Sequence, residues 1–178
     1  MTEAKDWVFI FPIIAAIVLL VSLIFPLIGI SIFYSGFIDP AIVGNLMPFG
    51  MGGITDVLSP YIGLVPEAAG IQTTFQWIGI VMAILFILGA LLLIISGLRV
   101  KTGNKELKKA RKKWLRNGLS YIITELILFL GLAIGIPIAL VQAGIGLEMG
   151  FFIRSGMILI VVAGGILIFA YILARIAG

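Results

Sequence analysis

From Trp7 to Ile38 the chain carries no charged residue, and three further apolar runs follow: Phe75 to Leu98, Leu115 to Val141 and Ser155 to Ala174. A helix needs about 20 apolar residues to cross the hydrocarbon core of a bilayer, and each run supplies them. The pattern predicts an all-α integral membrane protein with four transmembrane helices in an antiparallel bundle. The spans are approximately 7–31, 75–98, 115–141 and 155–175 in a single domain of residues 1–178, with an outer loop at 32–74 and a basic loop at 99–114. At 62% hydrophobic and 11% charged residues, with a mean hydropathy of +1.28, the composition exceeds the roughly half-apolar content of a soluble domain. The first run reads as an uncleaved anchor, because Thr2-Glu3-Ala4-Lys5-Asp6 is mixed in sign and the run outlasts the apolar core of about 7–15 residues in a signal peptide.

Basic residues near span ends stay cytoplasmic. Nine of the twelve Lys and Arg residues lie between Arg99 and Arg116; Lys5 and Arg175 fall on the same side, and Arg154 alone on the other. Both termini are therefore expected in the cytoplasm, in an integral, multi-pass protein of the cell (plasma) membrane. The formal charge of +4 belongs to one short loop, so nucleic acid is not an expected partner. With no Cys and no His, the chain has no disulfide, thiolate nucleophile, zinc site of the usual kind or common axial haem ligand. No cofactor is expected.

Apolar helices associate in lipid through close approach at small residues. Gly79 and Ala83, Gly131 and Gly135, and Ala170, Ala174 and Gly178 stand at four-residue spacing as bundle contacts. Pro26 and Pro137, late in their spans, are expected to bend or end them.

The first outer loop is apolar, rich in Gly and Pro, and free of Lys and Arg. Exposed apolar surface of that kind marks a contact with membrane or protein, and Pro48, Phe49, Met51 and Tyr61 are its candidate interface residues. Ala41 to Leu46 and Thr55 to Leu58 read as short interfacial helices. On the opposite side, Lys105 to Arg116 reads as a short basic amphipathic helix with Leu107, Ala110 and Trp114 on its apolar side. Such a helix lies in the headgroup region, with Trp114 in the interfacial belt. Lys105, Lys108, Lys109 and Arg111, with Lys112, Lys113, Trp114 and Arg116, are then candidate contacts for anionic lipid or an acidic partner.

Glu125 is the one acid well inside a span, about ten residues from the basic end and so roughly 15 Å deep. Asn117, Tyr121 and Glu125 recur every four residues with Ser120 and Thr124 beside them, a polar stripe that must face the bundle. Asn117, Tyr121, Thr124 and Glu125 form the candidate intramembrane polar site. A charge at that depth is costly, and intramembrane acids mark ion or proton paths, partner contacts or interhelical hydrogen bonds; Tyr121 and Ser96 are the expected partners in the last case.

The layout of cytoplasmic termini, four spans, a larger first outer loop and a small second one resembles that of claudin-like tetraspan proteins. Their first-loop signature pairs a tryptophan and a Gly-Leu-Trp step with two cysteines; this chain has neither Cys nor a Trp in that loop, and no residue role carries over. The expected function is non-catalytic: an accessory or scaffold subunit that forms homo-oligomers or joins other membrane subunits through its outer loop and small-residue helix faces. An oligomeric small channel or transporter using Glu125 is the second expectation, and an intramembrane enzyme the third.

Overall fold

The computed structural model describes residues 7–34, 42–47, 50–52, 66–103, 106–142 and 147–176. The chain is mostly helical. Its helices are α1 (Ile10–Ser22), α2 (Pro66–Lys101), α3 (Leu107–Leu130), α4 (Ile136–Gln142) and α5 (Ser155–Ile176), with a π-helical turn, Gly131–Gly135, between α3 and α4. Four strands accompany them: β1 (Ile28–Tyr34), β2 (Ile42–Met47), β3 (Gly50–Gly52) and β4 (Leu147–Ile153). Gln76–Lys101, Leu107–Ile138 and Ser155–Ile176 are long and apolar enough to cross a membrane, and α1 is a shorter apolar helix of 13 residues.

Three local expectations are corrected. The run read as a first span over 7–31 is helical only to Ser22, whose hydroxyl donates to Leu19 O at 2.6 Å and satisfies a carbonyl of the last turn. Pro26 cannot continue a helix, and the Ile-rich residues beyond it form β1. Ala41 to Leu46, read as a short interfacial helix, gives way to the strand Ile42–Met47, because β1 offers its backbone a partner; the register pairs Ile28 with Leu46 and Ile32 with Ile42. The basic segment is no separate helix, since Leu107 opens α3 and the helix runs unbroken to Leu130. Thr55 to Leu58 lies outside the described residues.

The chain divides into two compact units: Met1–Ser22, Ile84–Glu125 and Ile158–Gly178 form one, and Leu23–Ala83 with Leu126–Met157 the other. In the first unit, parts of α1, α2, α3 and α5 close a ring of neighbours. A Cβ on Gly97 would meet Phe9 O at 2.9 Å, joining α2 to α1. Phe11 of α1 stands edge-on to Phe169 of α5 at 5.5 Å. Gly118 of α3 and Gly164 of α5 face each other so closely that a Cβ on either would meet the other's carbonyl oxygen, at 2.7 and 2.8 Å. Arg111 Nη1 donates to Ala174 O at 3.0 Å, and the order of these two contacts makes α3 and α5 antiparallel. Between α2 and Thr102 the helix ends through Thr102 N donating to Leu98 O, followed by Gly103 at φ +74°, the left-handed residue that terminates a helix without a Cβ penalty.

The second unit is built on the sheet, in the order β3-β2-β1-β4, antiparallel throughout. β1 and β4 pair along seven residues, from Ile28 with Ile153 to Tyr34 with Leu147. Gly29 sits opposite Phe152, and any Cβ there would occupy the space of the Phe152 ring. Past the ladder, Arg154 N donates to Leu27 O at 3.1 Å and Gly156 N to Pro26 O at 2.9 Å. The π-helical turn has a local cause. In a regular helix the ring of Pro137 would press on the carbonyl of Ala133 and remove its hydrogen bond; the wider turn over Gly131–Gly135 moves that conflict out of register.

Replacing Gly118 by Val sets a side chain against Gly164 O, and we expect a loss of about 1–3 kcal/mol, the usual penalty of overpacking. Gly165→Ala, where no atom lies within 4 Å of the added carbon, should be neutral or gain up to about 1 kcal/mol. Thermal melts of the detergent-solubilised variants by circular dichroism check both; equal melting temperatures would contradict the packing described.

Candidate functional site

Asn117, Tyr121 and Glu125 of α3 follow its inner face, on which Ala110, Trp114, Gly118 and Glu125 are all enclosed. Trp114, expected at the interface, is fully buried, and its Nε1 donates to Ser96 Oγ of α2 at 3.1 Å. The indole fills the space between the helices while the hydroxyl satisfies its one donor, the condition for burying a tryptophan without penalty.

One turn on, Asn117 is half-buried, and a second turn brings Tyr121, also half-buried. Its ring stands edge-on to Phe86 at 6.3 Å and 78°, and its hydroxyl occupies the space that a side chain at Gly89 would need. Glu125 completes the series, and solvent reaches none of it. Neither carboxylate oxygen has a hydrogen-bond partner. The expected interhelical bonds from Tyr121 or Ser96 to Glu125 are not made. Ser96 receives the indole, and Tyr121 lies against Gly89 and Phe86.

The stripe seen in the sequence is therefore divided. Asn117, Tyr121 and Glu125 lie on the inner side, whereas Ser120 and Thr124 are exposed on the outer side of the same helix. Of the basic residues, Lys108, Lys109, Lys112, Lys113 and Arg116 are exposed, and Arg111 is partly buried through its bond to Ala174 O. Lys109 pairs with Glu106 at 3.4 Å, an exposed contact of little energetic weight. Lys105, Pro48, Phe49 and Tyr61 lie outside the described residues, and Met51 belongs to β3. Arg99, the first of the nine clustered basic residues, lines one cleft with Lys113 and Arg116 of α3. In the second unit, Arg154 lies 4.4 Å from the centre of the Phe152 ring, with its Nε buried and unpartnered. Among the described residues no group of three or more His, Cys, Asp or Glu gathers to hold a metal.

Among the described residues the enclosed Glu125 carboxylate meets no donor. It can bind a proton, or a cation that reaches it, and an uncompensated polar group kept inside a core lowers stability unless something occupies it.

The two kinds of surface define the class of protein. Within the first unit the enclosed positions of the helices include Ala15, Ala16, Ala90, Ala110, Ala163, Ala170 and Ala174 beside Leu19, Leu93, Ile160 and Leu167, while many large aliphatic residues, among them Ile17, Leu85, Leu88, Leu92, Ile123 and Ile158, are exposed. A water-soluble bundle would be arranged the other way round; small residues between helices and large aliphatic ones outside are the pattern of a helical membrane protein. No protein-family model matches the chain, and comparison with curated proteins and with solved structures gave no match.

Two substitutions test the site. Glu125→Met removes an unpartnered polar group at similar volume and should leave stability unchanged or raise it, by as much as about 1–3 kcal/mol, with the melting temperature moving in the same direction. A pronounced loss would mean that the carboxylate has a partner. Trp114→Phe should cost about 0.5–1.5 kcal/mol for the hydrogen bond to Ser96, and Trp114→Ala about 3–5 kcal/mol for the cavity, both read from thermal unfolding in the same detergent.

Proposed function

We propose that this chain is a non-catalytic, multi-pass subunit of the cell membrane that assembles laterally with its own copies or with other membrane proteins, with α1 as a fourth span and both termini cytoplasmic. The observation that carries this reading is the uneven cover of the helices. Only 11% of the most apolar window of Leu107–Ile138 is enclosed, against 33% for Gln76–Lys101 and 39% for Ser155–Ile176. Gly131 and Gly135, at the four-residue spacing that lets helices approach, are exposed, and among the described residues a Cβ on either would meet no atom from another element within 4 Å. Gly118 and Gly164 are consumed inside the chain; Gly131 and Gly135 remain for a neighbour. Among the described strands β3 and β4 are the edges of the sheet, and an edge offers backbone donors and acceptors that a second chain can pair with.

A second reading, an oligomeric small channel or transporter, is favoured by Glu125, whose carboxylate is enclosed and unpartnered. In that case the acid carries the permeant proton or cation.

Subunit counting by stepwise photobleaching of the labelled protein in vesicles tests the first reading. Joint replacement of Gly131 and Gly135 by Ile should weaken self-association by about tenfold, the equivalent of about 1.4 kcal/mol, with helix content unchanged. Oligomers indifferent to the substitution would sink the helix-face assignment. Ion or proton flux through vesicles holding this protein alone, abolished by Glu125→Gln, would replace the scaffold reading by the channel one.

A further inference from the structure

The first unit contains a cleft of about 190 Å³ between α2 and α3. Its floor is the buried Trp114 with its bond to Ser96, its mouth carries Arg99, Lys113 and Arg116 together with the Asn117 amide, and no acidic residue lines it. Among the described residues none of these three cations makes an ion pair, the single pair being that of Lys109 with Glu106. Three uncompensated cations brought to one cavity repel one another, and an anion held between them relieves that repulsion.

The remaining wall says which kind of anion. Leu92 and Ile95 line the cleft on the α2 side. They belong to a row, Leu85, Leu88, Leu92, Ile95 and Arg99, spaced alternately by three and four residues and so on one helix face. The four aliphatic members are 54%, 52%, 63% and 45% exposed. From Leu85 to Arg99 the row is about 21 Å long at 1.5 Å per residue, longer than the roughly 15 Å of one bilayer leaflet's hydrocarbon. An uncovered aliphatic track that ends in a cationic cleft matches a molecule with acyl chains and an anionic head. Arg99, Lys113 and Arg116 also stand where an apolar span meets its basic end, the level of lipid headgroups.

We propose that the Arg99–Lys113–Arg116–Asn117 cleft is a binding site for an anionic glycerophospholipid, its phosphate held by the three cations and the amide and one acyl chain laid along the Leu85–Ile95 row. The site differs from the exposed lysines of the same loop: Lys108, Lys109 and Lys112 do not line the cleft and contribute only diffuse attraction. Nothing in it depends on self-association.

Native mass spectrometry of the full chain in neutral detergent, titrated with phosphatidylglycerol, phosphatidylcholine or inorganic phosphate, tests the assignment. One retained phosphatidylglycerol per chain is expected, with phosphatidylcholine bound at least tenfold more weakly. Arg99→Gln with Lys113→Gln and Arg116→Gln should weaken phosphatidylglycerol binding by about 100-fold, at roughly fivefold for each cation near an anionic lipid. Lys108→Gln with Lys109→Gln and Lys112→Gln removes the same charge and should change binding by less than about fivefold, since surface charges beyond the cleft are screened. Arg116→Gln alone, at an exposed position, gives the fivefold loss should the triple variant not fold. Equal losses in the two triple variants, or equal retention of phosphatidylcholine, would overturn the site; competition by millimolar inorganic phosphate as effective as that of the lipid would assign the cleft to a soluble anion instead.

Discussion

The first unit depends on how closely α3 and α5 approach at Gly118 and Gly164. With a carbonyl of each helix at the place where the other's side chain would begin, the two backbones touch almost directly, and the gain is dispersion between well-fitted surfaces and not release of water. That close crossing sets the rotation of α3. Gly118, Trp114 and Glu125 all lie on its enclosed side, so the residue that allows the contact also fixes the direction of the indole and the carboxylate. A rotation of α3 by about 80° in one sense would carry Trp114 off the enclosed side and bring Thr124 to its place.

The same rotation explains the two polar features of the unit. Trp114 reaches Ser96 across the α2–α3 junction and forms the floor of the cationic cleft, so a core contact and a surface site share one side chain. Glu125, about three turns further along, is carried into the interior by the same face but meets no donor there among the described residues. One polar residue on this face is satisfied and the other is not, and that difference separates a packing element from a functional candidate.

Much of this organisation was legible in the sequence, and where it was not the reason is physical. The apolar runs placed the three long helices, and the Lys and Arg distribution marked the basic end, because both signals are compositional and survive without knowledge of packing. Glu125 was equally visible, since an acid in an apolar run has no other explanation. The sheet was hidden. Ile28 to Tyr34 continues the uncharged run of the helix before it, and such a run does not by itself separate a strand from a buried helical turn; Pro26 and the alternation of Ile28, Ile30 and Ile32 with Gly29 and Ser31 were the local signs of the break. β4 gave a weaker signal still, because Leu147–Ile153 is stabilised by pairing with β1, a partner more than a hundred positions away. The cleft was missed for a similar reason. Arg99 and Arg116 flank a loop in sequence, and only the antiparallel return of α3 along α2 makes them neighbours.

That long-range pairing also bears on how the molecule is made. Ile28 and Ile153 lie about 125 residues apart, and at roughly 5–20 residues per second of synthesis β1 emerges about 6–25 s before the strand that flanks it. During that interval β2 is available to cover one side of β1, while the other side stays open through the synthesis and insertion of α2 and α3. The nascent chain thus passes through a stage with an unprotected, isoleucine-rich strand edge, and the β4 ladder closes only as the last helix begins.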